Sequence, residues 1–388
     1  MTGSLPPEQA RSANSLDTID LGISEALNRA AQAVVRSKYI LDTAATQFRP
    51  AILERDLYDG GYGPTNPLCF LQRIIPFAYT LERSHDKVFA RVPTENTIGC
   101  SWRWRRSSLD DAEREKCREK VDNEEDLLSG RIDDASYIWV KPLGLIAPHE
   151  GKNRVDFFRG EGIDSIPAKV SEWGYVEPSR ITLYSVKDHA FEATWAVLDD
   201  RWVELVPHPG WTLPLMAAYG AKTEKPWPAT FPTPADVLLA LFDSPRGNSP
   251  LGDPDHKNAT VIDLDTIKAI DDFQSERVRV TVHDLKDVKI DHRLWQCALA
   301  GVLVALALLA LLPERWSDAR ILSGVLLGAA GCIGMVPYLF RCITVSRRGL
   351  SRVEFLPIDR CPKKAGRKFR RESVSYTHLR AHETPEHL

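Results

Sequence analysis

Apolar residues at Ile19, Ile23, Ala26, Leu27, Ala30, Val34, Ile40 and Leu41 recur at close to 3.6 residues, which predicts an amphipathic helix from a cap at Asn14 or Ser15 to about Phe48. Its stripe needs a partner, either the rest of the chain or a second copy in a homo-oligomer. Leu68–Leu81 and Lys87–Val92 are apolar enough for strands, and Cys100–Arg105 alternates like an edge strand with its tryptophans on one side. Leu109–Leu128 is dense in Asp, Glu, Lys and Arg and predicts a solvated helix. Two short apolar runs, Tyr137–Val140 and Leu143–Ala147, come next. Val155–Glu161 then reads as a helix, with Val155 and Phe158 three apart on one face, Gly162 as terminator and Ile166–Val170 as a strand. Arg180–Val186 and Phe191–Leu198 alternate, and Asp199-Asp200 turns the chain into Arg201–Val206, a three-stranded meander expected to extend the same sheet. Thr212–Tyr219 and Ala235–Phe242 predict two closing helices, and Glu276–His283 a strand.

Near the C-terminus the pattern loses its polar face. Leu294–Leu312 holds no charge and, at about 1.5 Å per residue, spans roughly 28 Å, close to the hydrocarbon thickness of a bilayer. Ile321–Phe340 is a second uncharged run, and the short connector Pro313–Arg320 makes the pair a hairpin. Gly324 and Gly328 form a small-xxx-small face where the two backbones are expected to approach closely. From Arg341 to Arg371 eleven basic residues stand against Glu354 and Asp359, a net +9. With −3 for the whole chain, the remainder carries −12. The basic flank belongs on the cytoplasmic side, so the expected topology is an integral membrane protein of two spans with N- and C-termini cytoplasmic. The lipid bilayer is then a partner, and the tail contacts anionic lipid. An acidic bulk and no helix-turn-helix argue against nucleic acid as a partner.

The candidate chemistry lies between the second apolar run and the helix. Pro148-His149-Glu150 leads into Gly151-Lys152-Asn153-Arg154. A Gly-x-x-Arg turn at a helix start leaves backbone N–H groups pointing outward beside a guanidinium, which suits an anion. An ion pair of Arg154 with Glu150 or Asp156 would explain the arginine equally well. The order Gly151-x-x-Arg154, helix, Gly162, Ile166-Pro167-Ala168-Lys169-Val170 resembles the ParB/sulfiredoxin-like fold. That resemblance implies an α+β domain with a mixed sheet, here with an N-terminal helical segment and a C-terminal transmembrane helical hairpin. It also implies a nucleotide or other phosphorylated ligand held by His149, Glu150, Gly151, Lys152, Asn153 and Arg154. Departures from the family narrow the chemistry. Sulfiredoxins carry cysteine where this chain has Lys152, and partitioning proteins carry Glu there and a second Arg where Asp156 stands.

Three functions follow as expectations: a membrane-anchored regulatory module that binds the ligand, a phosphotransfer or phosphohydrolase enzyme with Glu150 or His149 as base, or a ligand-free scaffold. No metal set is expected. The seven cysteines, Cys69, Cys100, Cys117, Cys297, Cys332, Cys342 and Cys361, form no C-x-x-C pair and read as reduced thiols. His208 in its Pro loop and the carboxylates Asp199, Asp200 and Glu204 are more simply structural, as is the Gly-rich segment Tyr58–Pro64. The expected organisation is an N-terminal extension at 1–135, a ParB/sulfiredoxin-like domain at 136–245, a linker and strand at 246–292, the hairpin at 293–342 and a basic tail at 343–373. Residues 374–388, with three histidines, resemble translated sequencing adaptor and are set aside.

Overall fold

In the computed structural model the described residues are 16–48, 65–78, 81–100, 109–132, 135–188, 191–243, 261–286, 292–352, 354–357 and 360. The segments 58–64 and 101–105, the histidines of the C-terminal peptide and Cys361 lie outside them. The chain is α+β and divides into two units, Met1–Asp263 and Leu264–Lys364.

In the first unit the helix α1 covers Glu25–Phe48. It starts about ten residues later than its periodicity predicts, because residues 17–19 are extended and bond to Arg91 (Ile19 N–H to Arg91 O, 2.9 Å; Arg91 N–H to Asp17 O, 3.0 Å). Its buried face also differs from the expected one. Leu27, Ala31, Val34 and Val35 continue into Lys38 and Asp42, both buried, whereas Ile40 is 62% exposed. Helix α2 occupies Pro67–Ile74, where a strand was expected. Asn66 caps it through the Leu68 N–H, Pro67 fits the first turn, and Leu68, Phe70, Leu71 and Ile74 fall on a helical period.

Strand β1 (Glu82–Pro93) follows, and then α3 (Asp111–Val121) and α4 (Glu124–Leu128) take the place of one solvated helix. The break is local: Asn123 starts a new helix by accepting from the Asp126 N–H at 3.0 Å. Strands β2 (Ser136–Val140) and β3 (Leu145–Pro148), helix α5 (Lys152–Glu161) and strand β4 (Ser165–Gly174) come next, matching the predicted strand, strand, helix, strand order. They form a sheet of order β1-β4-β2-β3, in which β2 and β4 are parallel and the other pairs antiparallel. Pro167 is tolerated inside β4 because β2 begins only opposite Lys169, so no ladder N–H is required of it.

Strands β5 (Ile181–Asp188), β6 (Phe191–Leu198) and β7 (Trp202–Leu205) are the expected meander, with Asp199 and Asp200 left-handed in the turn (φ 55° and 53°). They do not extend the first sheet. Helix α6 (Pro209–Tyr219), strand β8 (Lys222–Pro226), helix α7 (Pro234–Asp243) and strand β9 (Val261–Asp263) complete a separate sheet of order β8-β5-β6-β7-β9. The first sheet offers no edge to continue: Thr18 bridges the outer side of Arg91 on β1, and Thr97 bridges Ile146 on β3.

Two cores sit on opposite faces of the first sheet. Ile138, Val140, Leu145 and Ala147 point to α1, α2, α6 and the second sheet. Tyr137, Trp139, Ile146, Ile166, Ala168 and Val170 alternate with them and pack against Val155, Phe157 and Phe158 of α5.

The second unit contains helix α8 (Leu264–Ser275), strand β10 (Arg277–Val280), helices α9 (His292–Leu311) and α10 (Ser317–Leu339) and strand β11 (Ile343–Ser346). β10 and β11 pair antiparallel, Arg277 opposite Ser346 through Val280 opposite Ile343. One ribbon therefore enters α9 and leaves α10, placing both feet of the hairpin at the same end. The helices pack on each other, yet Gly324, Gly328 and Gly331 are not the contact: a Cβ on any of them would meet no atom within 4 Å. Among the described residues no helix is long and apolar enough to cross a membrane; several side chains of α9 and α10 lie outside that set.

Candidate functional site

The turn singled out by the sequence joins β3 to α5. The N–H groups of His149 and Glu150 both donate to Ser136 O (2.8 and 3.3 Å), which ties the turn to the start of β2. Their side chains are exposed. Gly151 is left-handed (φ 97°, ψ 21°), a conformation that favours glycine, and α5 begins there without any side-chain cap. The positive end of the helix faces outward beside the half-buried Lys152 and the exposed Asn153. At its other end Gly162 terminates α5, left-handed at φ 70°, as expected.

Arg154 is placed differently from a displayed anion ligand. It is 7% exposed and lies on the α3 side of α5, near Cys117, whose thiol burial pushes up against the opposing charges of Lys120 and Arg154. Truncating Arg154 therefore removes buried packing as well as charge. Arg154→Ala is expected to destabilise the unit by about 2 kcal/mol or more, read as a lower urea midpoint.

The opposite stripe of α5 gathers the charged groups that sequence reasoning missed. Lys152, Asp156 and Arg159 recur at helical spacing and face α1. The Arg159 guanidinium stacks on the Tyr39 ring, 4.6 Å from its centroid, and donates to Thr97 O (2.6 Å), Gly99 O (2.8 Å) and Thr94 O (3.4 Å). The Tyr39 hydroxyl donates to the Asp156 carboxylate; burial, followed by that neighbouring charge, raises its pKa. Next to Tyr39 on α1 the Lys38 ammonium pairs with Asp42 one turn on, donates to Thr65 O at 3.2 Å and lies 5.2 Å from the centre of the Phe70 ring. Burial lowers the pKa of Lys38 and raises that of Asp42, outweighing their mutual attraction in both cases. The charge of Lys152 acts on both, and Cys100 acts on Lys38, Tyr39 and Arg159. The anion-type turn thus stands over a buried network of acids, bases and a phenol.

The segment leading to Cys100 passes close over α5. A Cβ at Gly99 would stand 2.7 Å from the Val155 Cβ. Gly99→Ala is expected to cost about 1–3 kcal/mol by overpacking; thermal melts of the variant and the parent check this.

The remaining candidates are structural. Asp199 forms a forked pair with Arg180 at 2.8 and 2.6 Å, and Glu204 accepts from the Phe77 N–H, so these carboxylates do not converge. His208 starts α6 with its ring 5.5 Å from that of Trp211, in the layer across the first sheet from α5. Among the described residues no group of three or more His, Cys, Asp or Glu could hold a metal ion. No family model, curated protein or solved structure matches the chain, and the reading of the site rests on these residues alone.

Proposed function

We propose that the first unit is a ParB/sulfiredoxin-like regulatory module that binds a nucleotide or another phosphorylated ligand at the His149–Asn153 turn, and that α9 and α10 anchor it at the cytoplasmic face of a membrane. The observation that carries the ligand reading is the β3–α5 turn: a left-handed Gly151, an uncapped helix start, and Lys152 and Asn153 accessible beside it. Backbone N–H groups and the helix dipole favour an anion there by about 0.3–1 kcal/mol, and Lys152 adds a full charge. The strand, turn, helix, Gly162 and Ile166–Val170 order supports the family reading. His149 and Glu150 border the ligand, and Arg154 supports α5 from behind.

A thermal-shift panel of nucleotides and inorganic phosphates on the purified chain tests this. A ligand at 100 times its dissociation constant adds about 2.7 kcal/mol, and Lys152→Glu removes that shift without lowering the melting temperature of the empty protein. A panel without effect, or an equal shift in Lys152→Glu, defeats the reading.

The anchor reading is supported by apolar side chains that α9 and α10 leave in the open, among them Leu299 (60%), Leu303 (57%), Ile321 (66%) and Leu339 (64%), with no soluble core over them. The ribbon supports a hairpin whose two feet lie on one side, and the basic flank puts that side in the cytoplasm. In a background without native cysteines, Ser317→Cys is expected to react with an impermeant maleimide added outside intact cells, and Ser351→Cys to be protected. The reverse pattern would invert the topology.

A further inference from the structure

We infer that the exposed face of the β10–β11 ribbon binds the headgroups of anionic lipids, an inference that rests on the anchor reading above. The strand alternation of β10 separates two faces. Val280 is buried, whereas Arg277 and Arg279 project together on the exposed side, opposite Ser346 and Thr344 of β11. These two arginines stand apart from the ion-pair network of their own unit.

Four acidic groups nearby are already engaged elsewhere. Glu276 accepts from Arg347 (3.3 Å) and Arg360 (3.1 Å), Asp271 pairs with Arg348, and Glu354 pairs with Arg347 and Arg352. Asp284 accepts from the Thr281 N–H (3.0 Å) and hydroxyl (2.8 Å), which holds its carboxyl below the usual range. Among the described residues no carboxylate pairs with Arg277 or Arg279. Two guanidiniums left open on one face, with hydroxyls opposite them, offer charge and hydrogen-bond donors to an external anion.

The position of the face selects the anion. Val280 and Ile343 form the ribbon pair nearest the hairpin, and the His283 ring meets that of Tyr338 in the last turns of α10 at 5.3 Å. At about 3.4 Å per residue, Arg279 and Arg277 lie about 3 and 10 Å along the ribbon from its hairpin-side end, a span comparable to one Debye length. Lys286 and Arg341, both exposed, occupy the two segments that connect the ribbon to the helices. A hairpin inserted in the bilayer thus brings this face to the headgroup layer, where phosphate and carboxylate groups are densest. The headgroup layer is therefore the occupant, and the ribbon acts as a foot that senses lipid charge.

The full-length chain in neutral detergent is titrated with short-chain phosphatidylserine, short-chain phosphatidylcholine and inorganic phosphate while its melting temperature is followed. In parallel it is reconstituted into phosphatidylcholine vesicles and extracted at alkaline pH. The expected result is a saturable rise with phosphatidylserine only. The Arg277→Gln/Arg279→Gln variant is expected to need about 30-fold more of it, from about 1 kcal/mol per basic residue near the surface, and Arg277→Lys/Arg279→Lys to keep most of the response. Equal responses of parent and glutamine variant, equal responses to the two lipids, or a rise with phosphate alone overturns the inference, while retention in vesicles after alkaline extraction leaves the anchor standing. Release from the vesicles overturns the anchor reading, and this inference with it.

Discussion

Asp42→Ala is expected to lower the unfolding free energy of the first unit by about 3–5 kcal/mol, because it strands a buried ammonium. Lys38 is 1% exposed and would keep only Thr65 O and the face of Phe70. The paired replacement Lys38→Met/Asp42→Leu removes both charges at similar volume and is expected to recover most of the loss, since apolar substitutes for a buried pair are often neutral or better. The pH dependence follows from the same burial. Lys38 titrates below its ordinary 10.5, so between that lowered value and 10.5 the unfolded chain holds more protons and stability rises with pH. Asp42 titrates above 3.8, so from 3.8 up to its raised value the folded chain holds more protons and stability falls as pH rises. Urea titrations across pH should show both slopes in the parent and neither in the apolar pair. Slopes that survive in the variant would place their origin elsewhere.

Replacing Leu294–Phe340 with a short Gly/Ser bridge is expected to move the protein from the membrane pellet to the high-speed supernatant. α9 and α10 are 20 and 23 residues long, about 30 and 34 Å of helix, and display leucine, isoleucine and valine outward along both. Soluble proteins seldom leave so large an apolar surface uncovered. A full-length chain that stays in the supernatant without detergent would contradict the anchor reading, and a truncated chain that still pellets would locate the attachment outside the hairpin.

The elements legible in the sequence were those whose punctuation is local. Gly162 stops α5, Ile166–Val170 lies within β4, and Asp199-Asp200 turns β6 into β7, because each signal acts within a few residues. Misreadings arose where tertiary partners decide. The meander formed its own sheet because both edges of the first were covered, whereas the apolar run at Leu68 became α2 through a local signal that was overlooked, the Asn66 cap. The candidate site divided the same way. The Gly151 turn was visible as glycine at a helix start, whereas Lys38 and Asp42 sit four apart on α1, a spacing indistinguishable from a solvated surface pair. Only their alignment with Leu27, Ala31 and Val34 marks them as buried, and the exposed Ile40 beside them hides that register. Asp156 and Arg159 gain meaning only when α1 is laid against α5.

The central claim is that an anion sits on the backbone N–H groups opening α5, and hydrogen exchange at those amides tests it most directly. With the ligand that gives the largest thermal shift, or with inorganic phosphate as the simplest probe, amides in a peptide spanning residues 149–156 should exchange more slowly. That protection should vanish in Lys152→Glu while the rest of the first unit exchanges as in the parent. Unchanged exchange at 149–156, with protection appearing elsewhere in the chain, would contradict the account.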